Sequence, residues 1–266
     1  MRMVATDLDG TLVGRDHSVS ARNREALTAC LAAGVEVVFV TGRPLRWMAP
    51  VVEATGIAGT AICANGAAVY DLATGDLLVH HPVPVAAVRP AVDTLRNALG
   101  RVAVALETPD GLVAEPDYTT TWDPDALMPR GELGELLAGS PTVFKVLVRG
   151  HGLTSDEMLA VARVELDGSM TATHSNARGG GLLELSATGI SKAATLAELA
   201  ALRGLDAADV VAFGDQPNDV EMLRWAGRGV AMADGHPEAL EAADEVAPPL
   251  AEDGVAQVLE RLLHSL

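Results

Sequence analysis

Two aspartates, Asp7 and Asp9, come directly after a short apolar run at residues 3–5, and residues 7–11 read Asp-Leu-Asp-Gly-Thr. The apolar run predicts a strand, which places both carboxylates at its carboxyl end. Carboxylates in this position can coordinate a hard cation, and a carboxylate can also attack an electrophile. The alternative is an acidic turn in which Gly10 supplies an unusual backbone angle and Thr11 caps a helix.

Two further polar segments follow predicted strands. Residues 41–43 (Thr-Gly-Arg) come after residues 35–40, which are apolar except for Glu36, and residues 214–219 (Gly-Asp-Gln-Pro-Asn-Asp) come after the apolar run 210–213. Fully apolar strands are typical of a parallel sheet that is covered on both faces. The carboxyl ends of parallel strands meet at one edge, where open α/β sheets bind ligands. We therefore expect the three segments to converge at that edge.

The side chains at this predicted edge suit the transfer of a phosphoryl group. Asp7 and Asp215 offer oxygen ligands for Mg²⁺, which typically takes few protein carboxylates. Asp7 and Asp9 can divide nucleophilic attack and proton transfer between them. Four residues could hold the phosphoryl oxygens. They are Thr41 through its hydroxyl, Gly42 through its backbone, Lys192 through its ammonium and Asn218 through its amide.

The distribution of elements predicts a doubly wound, Rossmann-like α/β core with an inserted α/β domain. Strand-then-helix units occupy both ends of the sequence, whereas the middle mixes helices and strands in another order. Two prolines within residues 80–84 and three glycines at residues 179–181 mark the change. We expect residues 1–81 and 185–266 to form the core and residues 82–184 to form a cap.

The composition and net charge exclude some classes of binding partner. The net charge of -17 and the lack of a basic stripe argue against nucleic acid and against an acidic membrane surface. No apolar run is long enough to span a bilayer and no leader pattern is present, so we expect a cytoplasmic protein. An anionic substrate would need local positive charge, and the sequence contains only two lysines, Lys145 and Lys192.

At these motifs the sequence resembles the haloacid dehalogenase-like phosphohydrolases. Four signature elements occur in order: residues 7–11, residues 41–43, Lys192 and residues 214–219. Residues 65–67 (Asn-Gly-Ala), Met222 and residues 252–255 (Glu-Asp-Gly-Val) are similar to the Cof-type sugar-phosphatase branch, as is the position of the insertion. The resemblance covers essentially the whole chain.

The resemblance implies a role for each motif residue. Asp7 would be the nucleophile that forms an aspartyl phosphate, and Asp9 would be the acid and base, with its backbone carbonyl on Mg²⁺. Asp215 would be the other side-chain metal ligand, with Asp219 just behind it. The phosphoryl oxygens would be held by Thr41, Gly42, Lys192 and Asn218. Implied substrates are sugar phosphates or other small phosphorylated metabolites.

Four residues allow two interpretations. Arg43 would either contact substrate or form a structural ion pair. Asn65 would either support the site or only turn the chain, because Asn-Gly is a strong turn dipeptide. His174 and Arg178 would either face the substrate from the cap or lie in a solvated loop.

Two other functions fit the same motifs. A phosphotransferase or mutase would protect the aspartyl phosphate from water, and a non-catalytic sensor would bind a phosphometabolite without turning it over. The presence of both Asp7 and Asp9 favours the hydrolase over the sensor. The sequence predicts no particular oligomeric state.

Overall fold

The computed structural model describes residues 1–120, 128–139, 141–175 and 180–264. The chain divides into two compact units. The first comprises Met1–His80 and Ser191–Leu266, and the second comprises His81–Ile190. Among the described helices, none is both long enough and apolar enough to cross a membrane.

The described residues form strands, α-helices and short 3-10 turns. The strands are β1 Met3–Thr6, β2 Glu36–Val40, β3 Thr60–Cys63, β4 Ala68–Asp71, β5 Leu77–His80, β6 Val102–Thr108, β7 Gly111–Ala114, β8 Lys145–Gly150, β9 Thr171–Thr173, β10 Leu182–Ser186, β11 Val210–Gly214, β12 Arg228–Met232 and β13 Glu245–Ala247. The helices are α1 Ala21–Ala32, α2 Ala49–Thr55, α3 Val85–Leu99, α4 Leu133–Ala138, α5 Ser155–Glu165, α6 Lys192–Leu202, α7 Val220–Trp225, α8 Pro237–Ala242 and α9 Gly254–Leu263. The 3-10 turns are Leu45–Trp47, Ala64–Gly66, Ala207–Asp209, Pro217–Asp219 and Leu250–Glu252.

The first unit is built on an eight-stranded sheet in the order β13-β12-β11-β1-β2-β3-β4-β5. Adjacent strands from β13 to β3 pair in parallel, and β4 and β5 add an antiparallel hairpin at one edge. Strand β1 lies between β2 and β11, with Thr6 beside Phe39 on one side and Phe213 on the other. This register brings the segments after all three strands to the same edge of the sheet.

Burial explains why these short apolar runs form central strands. Every residue of β1 and β11 is buried, and helices α6 and α7 pack their apolar side chains against one face of the sheet. Helix α1 packs against α9 and β2. Helix α6 begins at Lys192, where the side chain of Ser191 accepts a hydrogen bond from the backbone of Ala194. The start of α6 is therefore fixed by its own cap.

The second unit has a five-stranded antiparallel sheet in the order β7-β6-β8-β10-β9. Apolar residues at every other position of β6, β8 and β10 pack against helices α3, α4 and α5. The alternation is what a sheet with a helix layer on one face requires.

The predicted fold class, a parallel α/β core with a second α/β unit between its two parts, is confirmed. The β4–β5 hairpin is not predicted, because β5 is largely exposed and lacks the apolar pattern of a buried strand. Strand β5 also extends to His80, into the segment that the prolines mark as a boundary. The assignment of residues 82–184 as a cap that selects substrate stays a prediction.

Candidate active site

Asp7 and Lys192 form the centre of the site. Asp7 follows β1 and is held there by a hydrogen bond from its backbone N–H to the carbonyl of Phe213, 2.9 Å away. The fully buried Nζ of Lys192 donates to Oδ1 of Asp7 at 2.5 Å and to Oδ1 of Asp219 at 2.7 Å. Residues from opposite ends of the sequence therefore share one buried ionic network.

Asp215 and Asp219 follow β11, and both oxygens of each carboxylate accept hydrogen bonds. Asp215 accepts from the Thr11 hydroxyl at 2.8 Å and from the Gln216 amide at 2.7 Å. Oδ2 of Asp219 accepts from the backbone N–H groups of Asp215 and Gln216, at 3.0 and 2.9 Å. Asp219 thus closes the turn that presents Asp215.

Gly10 allows the loop after β1 to approach Asp215 closely. Its φ is +93°, and a Cβ at this position would lie 2.5 Å from Oδ2 of Asp215. Both the backbone angle and the lack of space exclude other residues. Residues 7–11 therefore pack against Asp215 at two points: Gly10 leaves space for its carboxylate, and the hydroxyl of Thr11 donates a hydrogen bond to it.

The acidic cluster fits a divalent cation. Asp7, Asp215 and Asp219 are buried, and each has a carboxylate oxygen within 4.8 Å of an oxygen of the other two. Hard oxygen donors at this spacing suit Mg²⁺. Asp219 is 0% exposed, whereas Asp7 and Asp215 are each 5% exposed, so Asp7 and Asp215 are the better direct ligands. Oδ2 of Asp7 accepts no hydrogen bond from the described residues.

Negative charge exceeds positive charge in this buried cluster. Burial raises the pKa of Asp7 well above 3.8; Lys192 acts to lower it, while Asp219 and Asp215 raise it further. Burial, with the charge of Asp219, raises the pKa of Asp215 to about 6. Burial acts to lower the pKa of Lys192, but Asp219 and Asp7 outweigh this and raise it above its usual value. One ammonium therefore faces three carboxylates.

Mg²⁺ is expected to stabilise the protein more at about pH 7.5 than at about pH 5. The raised pKa values of Asp7 and Asp215 mean that the folded, metal-free state binds protons that the unfolded state releases. The stability of the metal-free protein therefore falls as pH rises from the ordinary carboxyl pKa through about 6. A cation that binds the ionised carboxylates offsets this loss.

Melting curves in MgCl₂ and in EDTA at both pH values test this expectation. A rise of roughly 5 °C is expected at the higher pH. Asp215→Asn should abolish most of the rise. The same rise at both pH values would contradict the account.

Asp9 and Arg43 form a two-point ion pair at the rim of the site. Nε and Nη2 of Arg43 donate to the two carboxylate oxygens of Asp9 at 2.7 and 2.5 Å. The Arg43 side chain is buried, whereas the Asp9 side chain is 57% exposed. Burial acts to lower the pKa of Arg43, but its bonds to Asp9 and the charges of Asp9 and Asp7 raise it. Of the two interpretations of Arg43, the structure shows an ion pair, and its partner is an aspartate of the site.

Thr41 is buried at the end of β2. Its hydroxyl accepts from the backbone N–H of Arg43 at 3.0 Å, and its own N–H donates to the carbonyl of Ile62. Gly42 lies between these two anchored residues. The loop is therefore held by backbone hydrogen bonds, at the same edge of the sheet as Asp7.

Asn65 connects this loop to Asn218. Its backbone N–H donates to the Thr41 carbonyl at 3.0 Å, and its side-chain oxygen accepts from Nδ2 of Asn218 at 3.0 Å. Oδ1 of Asn218 is buried without a hydrogen-bond partner among the described residues. Asn65 has a left-handed backbone, with φ at +58°. It therefore turns the chain and supports the site at once.

Gly66 fixes the same turn against the start of α6. A Cβ on Gly66 would lie 2.4 Å from the carbonyl oxygen of Ser191, and the Thr195 hydroxyl donates to the Gly66 carbonyl at 2.8 Å. The Asn-Gly pair thus positions the helix that begins with Lys192. The Asn-Gly dipeptide predicts the turn at residues 65–66, but no local feature of the sequence predicts that Gly66 packs against the start of α6.

The remaining candidates belong to the second unit. His174 is fully buried and its Nε2 lies 2.8 Å from Oδ1 of Asp156, so its prediction as a solvated loop residue is wrong. The short Thr171–Thr173 strand before it was not anticipated. Arg178 lies outside the described residues.

Comparisons with known proteins agree with this geometry. The sequence profile of the haloacid dehalogenase-like hydrolases matches residues 4–259. The chain is 28% identical to the putative phosphatase YxeH of Bacillus subtilis, with 98% of each chain covered. It is also 28% identical to the 5-amino-6-(5-phospho-D-ribitylamino)uracil phosphatase YcsE of the same organism, covering 97% of this chain and 94% of YcsE.

The fold agrees with a solved structure as well. The subclass IIB sugar phosphatase BT4131 superimposes with a TM-score of 0.82 at 21% identity and covers 98% of this chain. The predicted family is therefore confirmed, as is the prediction of an enzyme, and the two curated relatives are phosphatases, as the motifs imply. The profile match over nearly the whole length shows that this chain belongs to the haloacid dehalogenase-like hydrolases.

Proposed function

We propose that the protein is a Mg²⁺-dependent phosphomonoester hydrolase that works through Asp7. The observation that carries this proposal is the buried cluster in which Lys192 binds Asp7 at 2.5 Å while Asp215 and Asp219 lie beside it. A nucleophile, a cation site and a fixed ammonium are the parts that phosphoryl transfer needs, because its catalysis is mainly positioning and charge stabilisation.

The proposed reaction has two steps. Oδ2 of Asp7 attacks phosphorus and forms an O–P bond, while the bond to the leaving oxygen breaks and that oxygen takes a proton from Asp9. Asp9, now a carboxylate, takes a proton from water, whose oxygen attacks phosphorus and displaces Asp7. Phosphate leaves and both aspartates return to their starting states.

The residues around Asp7 manage the charge of the transferring group. Lys192 faces Asp7 directly, and Thr41, the backbone of Gly42 and Asn218 supply further donors at the same edge of the sheet. Nδ2 of Asn218 gives one hydrogen to Oδ1 of Asn65, and its second hydrogen is the one proposed to bind a phosphoryl oxygen. Mg²⁺ held by Asp7 and Asp215, with the Asp9 carbonyl, would supply Lewis-acid stabilisation of the phosphoryl oxygens.

Arg43→Lys is expected to lower kcat about 10²-fold and to change the pH profile of kcat, because Arg43 acts through Asp9. A lysine keeps the charge but cannot hold both carboxylate oxygens of Asp9. The exposed acid would then lose its fixed orientation toward the leaving oxygen. Steady-state kinetics across pH check this, with Arg46→Lys as the control in the same loop. An effect on KM alone would contradict a role through Asp9.

The proposed substrates are sugar phosphates or other small phosphorylated metabolites. Support comes from the name of YcsE, whose substrate is a phosphorylated ribityl compound, and from the fold shared with a sugar phosphatase. The second unit, His81–Ile190, is the proposed substrate-selecting cap. We propose a cytoplasmic location, where such metabolites are found.

A panel of sugar, polyol, nucleotide and vitamin phosphates, assayed for phosphate release in Mg²⁺ or in EDTA, tests the proposed function. Release that requires the metal supports the hydrolase. An isomerised sugar phosphate without phosphate release would replace it with a mutase. Metal-dependent binding without any product would replace it with a sensor.

A further inference from the structure

The segment 214–219 contains four polar side chains, and the proposed mechanism uses three of them. Asp215 and Asp219 belong to the acidic cluster, and Asn218 is a proposed donor to the phosphoryl group. Gln216 has no role in that mechanism, although it lies between the two aspartates in the chain. Its hydrogen bonds nevertheless connect it to both of them.

The backbone and the side chain of Gln216 have separate roles. The backbone N–H donates to Oδ2 of Asp219 at 2.9 Å, and the backbone carbonyl accepts from the N–H of Asp219 at 2.9 Å. The side chain instead donates from Nε2 to Oδ2 of Asp215 at 2.7 Å. The turn is therefore closed by the backbone of Gln216, and replacing its partly exposed side chain should remove only the contact with Asp215.

The carboxylate of Asp215 is held at both of its oxygens. The hydroxyl of Thr11 donates to Oδ1 at 2.8 Å, while Nε2 of Gln216 donates to Oδ2. The backbone of Gly10 limits the space around Oδ2, because a Cβ on that residue would lie 2.5 Å from it. Hydrogen bonds to ligand carboxylates fix their orientation in metal sites. Thr11 and Gln216 therefore restrain the carboxylate of Asp215 in one orientation.

The contact with Asp215 also fixes which end of the Gln216 amide faces the carboxylate. Oε1 is buried and has no hydrogen-bond partner among the described residues, which costs free energy. Turning the amide over would place Oε1 against Oδ2 of Asp215, and neither oxygen carries a hydrogen when the aspartate is ionised. The hydrogen bond to Asp215 is therefore the contact that holds the amide in place.

A restrained carboxylate treats divalent cations differently. Mg²⁺ is small and requires nearly ideal octahedral geometry, whereas Ca²⁺ accepts irregular geometry and binds carboxylates through one oxygen or through both. A carboxylate whose two oxygens each accept a hydrogen bond is hindered from turning both of them toward one cation. The restraint should thus favour Mg²⁺, which needs one oxygen at a set position, over Ca²⁺.

We propose that Gln216 is a positioning residue that acts through Asp215 and sets the preference of the site for Mg²⁺ over Ca²⁺. The inference deepens the proposed function and rests on it only for the presence of a cation at Asp7 and Asp215. It concerns the binding of the cation itself, so it is tested without substrate.

Calorimetric titrations of metal-free protein with MgCl₂ and with CaCl₂ at pH 7.5 test the proposal. In Gln216→Met, which has a side chain of similar length but no donor, the Kd for Mg²⁺ should rise about 10-fold, the usual effect of removing a partner of a metal ligand. The Kd for Ca²⁺ should rise at most about 2-fold, because Ca²⁺ tolerates a mobile carboxylate. The ratio of the two Kd values therefore reports the restraint on Asp215.

Gln257→Met is the matched control. The Gln257 amide belongs to α9 and donates to the backbone carbonyl of Glu252 at 2.7 Å, so its loss should leave both Kd values unchanged. Equal weakening of the two cations in Gln216→Met would show that the side chain only supports the loop, and unchanged Kd values would show that it does not act on Asp215. Either result overturns the proposal. If Gln216→Met does not fold, Gln216→Asn, whose amide is one methylene too short to reach Asp215, should change the ratio in the same direction.

Failure of the proposed function gives a different result. A wild type that prefers Mg²⁺, and loses this preference in Gln216→Met, but releases phosphate from no substrate keeps the role of Gln216 while the hydrolase proposal fails. Mg²⁺-dependent phosphate release with an unchanged ratio in the variant keeps the hydrolase and rejects the role of Gln216. A folded wild type that binds neither cation rejects both proposals.

Discussion

Asp7→Asn is expected to lower phosphate release by at least about 10⁴-fold, the scale seen when the nucleophile of a covalent mechanism is removed. The amide of asparagine has nearly the same shape as the carboxylate but is a much poorer nucleophile. Its oxygen can still accept the hydrogen bond from Lys192, which lies 2.5 Å from Oδ1 in the wild type. The loss should therefore be confined to chemistry.

The same variant should keep or raise the melting temperature in EDTA. Burial and the charges of Asp219 and Asp215 raise the pKa of Asp7, so the metal-free folded protein stabilises its charged form less than the unfolded chain does. Replacing it with a neutral side chain removes part of the repulsion from Asp215 and Asp219. Asp93→Asn, on an exposed position of α3, is the matched control and should change neither property. A folded Asp7→Asn protein with normal turnover would contradict the proposed mechanism.

Lys192→Met should lower both turnover and stability. The Lys192 side chain is fully buried and is the ammonium that binds both Asp7 and Asp219. Removing one partner of a buried ion pair costs about 3 kcal/mol of unfolding free energy, because the other charges stay buried. Loss of the charge that faces the transferring group should reduce turnover about 10³-fold.

The destabilisation caused by Lys192→Met should depend on pH. The pKa of Lys192 is raised in the folded state, so its stabilisation is fully present at neutral pH and disappears only at strongly alkaline pH. The destabilisation of Lys192→Met should therefore be full at pH 7 in EDTA. It should shrink as pH falls through about 6, where Asp215 takes up a proton.

A double-mutant cycle provides the control. Adding Asp7→Asn to Lys192→Met removes one uncompensated charge, so the double variant should unfold at a higher urea concentration than Lys192→Met alone. Urea titrations in EDTA measure all four proteins. Two results would contradict the expected contribution of the buried network to the free energy of unfolding. One is a Lys192→Met protein as stable as the wild type, and the other is strict additivity of the two changes in unfolding free energy.

Sequence reasoning reaches the strand-end residues because their positions follow from topology. Asp7, Thr41 and Asp215 come together once β1, β2 and β11 are neighbours in a parallel sheet, and apolar runs are enough to predict such strands. Lys192 is predicted instead from the scarcity of lysine and from the family resemblance. No side-chain conformation is needed for these predictions.

Other features depend on conformations that the sequence does not specify. The two-point bond between Arg43 and Asp9 requires one rotamer of each, and the docking of Gly66 on Ser191 requires the full fold. Neither interpretation of His174 includes its contact with Asp156, because that partner lies 18 residues away in the sequence.

The most direct measurement of the central claim is a single-turnover reaction of Asp9→Asn with p-nitrophenyl phosphate in Mg²⁺, quenched in acid and mapped by mass spectrometry. This leaving group needs no proton from Asp9, so the first step proceeds, while water is no longer activated and the intermediate accumulates. We predict one p-nitrophenolate released per site and one phosphoryl group on the peptide that contains Asp7. Release of p-nitrophenolate with that peptide unmodified, or with the phosphoryl group on another residue, would contradict the account.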